Sequence, residues 1–71
     1  MIVNFYKISG SYKSPDARKN QVTLIPGLTT LNLDVIPTVG TYIVASGQRF
    51  YVQMVELDAD TAEWNVYVVR A

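Results

Sequence analysis

The sequence contains neither cysteine nor histidine. Without cysteine, the chain has no disulfide, no thiolate metal ligand and no thiol nucleophile. Without histidine, it lacks the side chain that most often serves as a general base near neutral pH and as a zinc ligand. Ser-His-Asp and Cys-His catalytic arrangements are therefore excluded. We expect a protein that is not an enzyme and that uses no cofactor or metal.

The sequence also lacks an excess of charge of either sign, with six basic and six acidic residues. A dedicated nucleic-acid-binding domain usually has a clear excess of basic residues. No apolar run approaches the length of a membrane span, and no segment has the pattern of a signal peptide. Together with the absence of disulfides, these features predict a protein of the cytoplasm that does not interact with membranes.

The chain is short but rich in apolar residues, with 71 residues of which 49% are hydrophobic. This length predicts one domain, residues 1–71. Domains of this size bury only about 60% of the surface that their unfolded chains expose. A small core of this kind is often supplemented by association with a partner or with a second copy, so we expect a possible homo-oligomer.

Short β-branched and aromatic segments alternate with turn signals, and no helical periodicity extends beyond two turns. The predicted strands are residues 1–8, 22–25, 28–35, 41–45, 50–57 and 64–69. Ser46-Gly47 predicts a two-residue hairpin turn, and Pro26-Gly27 predicts a type II turn that bends the chain. The last three strands are predicted to form an antiparallel meander. The expected fold is all-β, a small five-stranded SH3-like barrel, with an OB-like barrel or a bent antiparallel sheet as alternatives.

Residues 56–63, ELDADTAE, hold four of the six carboxylates: Glu56, Asp58, Asp60 and Glu63. Clustered carboxylates are compatible with a hard cation, with paired acid–base catalysis, or with a surface that imitates phosphate charge. Asp and Thr are also common turn residues, because their side chains bond to nearby backbone groups. We favour this last interpretation, in which the stretch is the polar tip of a hairpin.

Residues 9–20 predict a long loop, and in the wider segment 7–20, the basic loop, four basic residues surround Tyr12. Phosphate contacts combined with base stacking are typical of proteins that bind single-stranded nucleic acid. The candidate nucleic-acid contacts are Tyr12, Lys13, Arg18 and Lys19, and the competing interpretations are a solvated loop and a contact with a protein.

Adjacent aromatic residues at 5–6 and 50–51 must point to opposite sheet faces, because side chains alternate along a strand. Both faces of the last two strands carry apolar residues, which predicts either a covered outer face or closure of a barrel. Residues 66–69 also predict a C-terminal edge strand open to pairing. We predict six residues as contacts for a protein partner: Tyr42, Tyr51 and Tyr67 on the outer face, with Asp58, Asp60 and Glu63 in the acidic turn at its rim.

From residue 37 onward, a pattern of turns and strands carries a resemblance to known proteins. The pattern comprises Pro37, Val39, Gly40, Gly47, Tyr51, Val52, Val55, Asp58, Asp60, Val66, Tyr67 and Val68. This segment resembles small uncharacterised bacteriophage β-barrel proteins, while residues 1–36 lie outside the resemblance. The resemblance implies a phage or prophage origin, a location in the host cytoplasm and a binding role.

Two functions follow as expectations. The first is a non-enzymatic protein-interaction module, a small phage accessory or inhibitor protein that binds a host or virion protein. The second is a single-stranded nucleic-acid-binding protein that uses the basic loop. Salt distinguishes them, because nucleic-acid binding weakens steeply with ionic strength.

Overall fold

A computed structural model describes residues 1–8, 22–24 and 29–71 of the chain, and every regular element in these ranges is a β-strand. The six strands are β1 (Ile2–Ile8), β2 (Val22–Leu24), β3 (Thr30–Asn32), β4 (Tyr42–Ala45), β5 (Gln48–Asp58) and β6 (Glu63–Arg70). The all-β prediction is therefore confirmed for the described residues.

The strands form one mixed sheet that curls into a half-barrel. Five strands follow one another in the order β2-β1-β6-β5-β4, and β3 pairs with β1 beside β2. Both β2 and β3 run antiparallel to β1, one along each half of its length. The outer edges of the sheet are therefore β4 on one side and the pair β2 and β3 on the other.

The predicted meander of the last three strands is confirmed, with β4, β5 and β6 paired antiparallel in sequence. The β4–β5 hairpin closes at Ser46 and Gly47, whose φ angles are 52° and 73°. Positive φ at both central residues is the geometry of a type I′ turn, which suits the twist of a two-residue hairpin. This turn fixes the register, so that Ala45 lies opposite Gln48 and Tyr42 opposite Tyr51.

The prediction that residues 66–69 form an open edge is wrong, because β6 is the central strand of the sheet. It pairs antiparallel with β5 and parallel with β1. Val66, Tyr67 and Val68 are all buried. A continuous apolar run that is buried on both faces is typical of a central strand, particularly one in a parallel pair.

The core lies on the concave face of the sheet and is built from three strands. Its buried members are Val3, Phe5, Phe50, Val52, Val66 and Val68. Leu33, Ile36, Ile43, Ala45, Val55 and Trp64 pack against them. The prediction that adjacent aromatic residues point to opposite faces is confirmed, since Phe5 and Phe50 are buried in the core while Tyr6 and Tyr51 are half-buried on the outer face.

A β-bulge in β5 changes which side chains face the core. Val52 lies opposite Val68 and Met54 opposite Tyr67, so Gln53 is an extra residue in β5. The simple alternation predicted from sequence places Val52 and Met54 on one face. This is wrong, because an inserted residue reverses the alternation of all that follow.

The strand predicted for residues 28–35 is shorter in the structure, where β3 spans Thr30–Asn32. Residues 34–35 form a bend, and Val35 is 76% exposed. The predicted Pro26-Gly27 turn and the basic loop, with Tyr12, Lys13, Arg18 and Lys19, lie outside the described residues.

Candidate protein-interaction edge

The outer edge of β4 presents backbone groups that no described residue pairs with. On β5, the Val52 backbone N–H donates to the Thr41 carbonyl at 2.9 Å, and so faces β4. The Arg49 carbonyl instead accepts from the Ala71 N–H at 3.0 Å, and so faces away from β4. Because bonding alternates along an antiparallel pair, Ile43 bonds to β5 while Tyr42 and Val44 direct their N–H and C=O groups outward.

The same two residues carry exposed apolar side chains. Tyr42 is 58% exposed and Val44 is 70% exposed. An edge strand with free backbone groups and apolar side chains is a template for pairing with another extended chain. Protective devices such as Lys, Pro or an inward-pointing charge are absent from β4, whose sequence is YIVA. We name residues 42–45 of β4 the open edge.

Aromatic and cationic groups cover the outer face next to the open edge. The rings of Tyr42 and Tyr51 contact each other edge to face, with centroids 5.6 Å apart. The Arg49 guanidinium carbon lies 5.9 Å from the centroid of the Tyr42 ring. These side chains share one face because Tyr42 lies opposite Tyr51 and Val44 lies opposite Arg49. Two of the three predicted tyrosine contacts therefore lie together at the open edge.

The third predicted tyrosine, Tyr67, lies on the same face but is only 4% exposed. Its ring stacks on Tyr6, with centroids 5.4 Å apart and an interplanar angle of 23°. Its hydroxyl donates to Glu56 Oε1 at 2.8 Å. Tyr67 in this position offers little surface to a partner and instead contributes to the packing of the outer face.

The acidic stretch forms the hairpin between β5 and β6, as the hairpin interpretation predicts. Asp58 ends β5 and lies opposite Glu63, which begins β6. Asp60 is exposed in the turn, and its backbone N–H donates to Asp58 Oδ1 at 3.0 Å. A carboxylate that accepts from the backbone two residues ahead is a typical turn contact for Asp. The Asp58 carboxylate therefore has an evident structural role, to which Asp60 contributes its backbone N–H.

Carboxylates and amides form a hydrogen-bonded network on the outer face beside this turn. Asn4 Nδ2 donates to Glu63 Oε1 at 3.0 Å and to Asn65 Oδ1 at 3.2 Å. Asn65 Nδ2 in turn donates to Glu56 Oε1 at 3.2 Å. Asn4 Oδ1 accepts from the Thr30 hydroxyl at 2.8 Å. The network joins strands β3, β1, β6 and β5 through side-chain hydrogen bonds, most of which are partly buried.

The structure does not bring all the predicted protein contacts together. Tyr42 and Tyr51 lie near one end of β5, whereas Asp58, Asp60 and Glu63 lie at its other end. The strand from Tyr51 to Asp58 separates them by roughly 20 Å at the usual rise per residue. The acidic turn is therefore remote from the tyrosines rather than at their rim.

Several residues of these two clusters were not predicted as sites. Val44 belongs to the open edge and Arg49 lies beside it on β5, while Asn4, Glu56 and Asn65 belong to the polar network. The two-residue turn at 46–47 contains the signal for the first group, because it places Val44 opposite Arg49 on the tyrosine face. The second group depends on the pairing of β1 with β6, which local sequence does not indicate.

Within residues 1–8, 22–24 and 29–71, no group of three or more acidic side chains is arranged to hold a metal ion. None of the elements in these ranges is a helix long and apolar enough to span a membrane. No protein-family model, curated protein or solved structure matches the chain.

Proposed function

We propose that the protein is a non-enzymatic protein-interaction module that binds an extended segment of a partner along the open edge. The observation that carries this proposal is the outward direction of the Tyr42 and Val44 backbone groups, combined with the exposure of their side chains. Backbone bonds supply affinity in β-strand addition, and side chains on alternate positions supply specificity.

The neighbouring aromatic residues favour this edge over the other side of the sheet. Tyrosine and arginine are enriched among the residues that dominate binding energy at protein interfaces. Three such side chains lie together here, because Tyr42 contacts both Tyr51 and Arg49. The opposite edge is divided between β2 and β3, each of three residues. Very short edge strands are a common protection against pairing.

The scaffold proposed for this role is the small SH3-like barrel predicted from the sequence, and the curled all-β sheet supports it. The resemblance of residues 37–69 to bacteriophage β-barrel proteins supports a more specific proposal. In that proposal the protein is a phage accessory or inhibitor protein, located in the host cytoplasm, whose partner is a host or virion protein.

The experiment is a selection of binding peptides from a random display library, using the immobilised protein and its Val44→Pro variant. Proline removes the outward N–H of the open edge without removing a bond to β5. We expect peptides that bind the unmodified protein and that lose binding to Val44→Pro. A Thr30→Ser variant, altered on β3 far from the open edge, serves as the matched control and should bind as the unmodified protein does.

Two outcomes would contradict the proposal. Peptides that bind both proteins equally would place the binding surface elsewhere. The absence of peptides, together with binding of a labelled oligothymidylate at low salt that disappears at high salt, would favour the nucleic-acid alternative. Analytical ultracentrifugation of the unmodified protein and of Val44→Pro measures self-association. This control is needed because pairing of two copies through β4 would also be abolished by the proline.

A further inference from the structure

Arg49 occupies a defined position relative to the open edge, and its charge is available there. It lies on β5 opposite Val44, yet its guanidinium carbon is 5.9 Å from the ring centroid of Tyr42 on β4. The guanidinium and the Tyr42 ring are therefore neighbours on the outer face, next to the open edge. Within the described part of the chain, no carboxylate forms an ion pair with Arg49.

A strand that pairs with β4 would place its side chains within reach of this guanidinium. Because neighbouring strands lie about 4.8 Å apart, a strand paired with β4 would lie about 10 Å from β5, a gap that the long Arg49 side chain and an Asp or Glu extending toward it can close. A side chain opposite Tyr42 or Val44 would share their face, and so would lie beside the group that already covers Tyr42. A carboxylate there would form a charge-assisted bond with Arg49, and the guanidinium fork suits bidentate contact with a carboxylate.

From this geometry we infer that the open edge selects an acidic extended peptide, with an Asp or Glu on the side that faces Arg49 and Tyr42. This inference rests on the proposed function, because it specifies the chemistry of the segment that docks on the open edge. Arg49 is then a specificity-determining residue, while the backbone of Tyr42 and Val44 supplies the docking bonds.

The described residues favour an acidic polypeptide over nucleic acid and over a second copy of the chain as the occupant of the open edge. Of the described residues, only Lys7, Arg49 and Arg70 are basic, whereas nucleic-acid binding usually uses several basic side chains that follow the phosphate backbone. The free N–H and C=O groups of the open edge are spaced to pair with another extended polypeptide. A second copy that pairs through β4 would bring no carboxylate on that strand, because residues 42–45 include no acidic side chain.

The test uses the display library of the preceding experiment against the unmodified protein, Arg49→Lys, Arg49→Gln and Arg49→Glu. Arg49 is exposed on the sheet, so these substitutions should leave the fold intact, which far-ultraviolet circular dichroism and the urea midpoint would verify. We expect acidic residues to be enriched at one position of the peptides that depend on Val44. Selection with Arg49→Glu should instead enrich Lys or Arg at that position.

The affinities of individual selected peptides for the unmodified protein and for the Arg49 variants are then compared. Arg49→Glu should weaken an acidic peptide by roughly tenfold, Arg49→Gln by a smaller factor, and Arg49→Lys least. Peptides that depend on Val44 but show no acidic enrichment and no response to Arg49→Glu would overturn this inference and leave the proposed function standing. The absence of any peptide that depends on Val44 would overturn both.

Discussion

Proline substitution at two adjacent residues of β4 tests the direction of each backbone group. The Ile43 N–H bonds to the Phe50 carbonyl on β5, whereas the Val44 N–H points outward. Proline at 43 removes that bond, at a cost of about 1 kcal/mol. It also leaves the Phe50 carbonyl unpaired, at a cost of about 1–3 kcal/mol. Proline at 44 removes no bond within the sheet, and we expect it to cost less than about 1 kcal/mol.

These differences are large relative to the stability of so small a domain. At about 0.05–0.15 kcal/mol per residue, the free energy of unfolding should lie roughly between 4 and 10 kcal/mol. With a urea dependence of about 1 kcal/mol per molar, Ile43→Pro should lower the unfolding midpoint by roughly 3 M, and Val44→Pro by less than about 1 M. An Ile43→Ala variant measures how much of the stability loss in Ile43→Pro comes from the half-buried isoleucine side chain.

The assay is urea unfolding followed by the fluorescence of Trp64, the single tryptophan, which packs against the core. Equal losses of stability for the two proline variants would refute the alternation of bonded and outward groups along β4. A larger loss for Val44→Pro than for Ile43→Pro would show that β4 is turned the other way and that Val44 bonds to β5.

Three further substitutions test the packing, the polar network and the hairpin turn by the same assay. Phe5→Ala empties a site that is 1% exposed, and a cost of about 3–5 kcal/mol should lower the urea midpoint by roughly 3–5 M or, in a protein at the low end of the stability range, unfold it in water. Asn4→Ala removes the donor to Glu63 and should lower the free energy of unfolding by about 1–2 kcal/mol. An unchanged free energy of unfolding would show that the network does not stabilise the fold. Gly47→Ala should cost about 1 kcal/mol through its positive φ alone, because an added Cβ meets nothing within 4 Å; a stability gain would contradict that geometry.

Local signals in the sequence were sufficient to predict the hairpins. Gly47 and its serine neighbour define a two-residue turn between β4 and β5. The Asp-rich stretch that begins at Asp58 defines the longer turn between β5 and β6. Because a two-residue turn also fixes register, the juxtaposition of Tyr42 with Tyr51 follows from the same signal. These features depend on neighbours in the chain, where propensity and turn chemistry are informative.

The features that the sequence did not predict depend on contacts between distant residues. The parallel pairing of β1 with β6 joins Val3 to Trp64 across almost the whole chain. This pairing makes β6 central and brings Asn4 beside Glu63 and Asn65. The bulge at Gln53 is equally non-local, because it is defined by the partner strand that it opposes.

The acidic stretch and the open edge have different physical roles in the structure. Glu63 is bonded to Asn4, and Asp58 to the backbone of Asp60, so these carboxylates have partners within the sheet and its turn. Tyr42 and Val44 have exposed side chains and outward backbone groups. The concentration of carboxylates is the most conspicuous feature of the sequence, but the apolar strand beside the glycine turn is the one that we propose as the docking surface.

Residue-resolved hydrogen exchange of the β4 amides, followed by NMR in dilute protein and after addition of a selected peptide, is the most direct test of the open edge. In the free protein, the amides of Tyr42 and Val44 should exchange rapidly while those of Ile43 and Ala45 are protected. The peptide should then protect Tyr42 and Val44 as well. Protection of Tyr42 and Val44 in the free protein, or no change when the peptide binds, would contradict the proposal that β4 is an open docking strand.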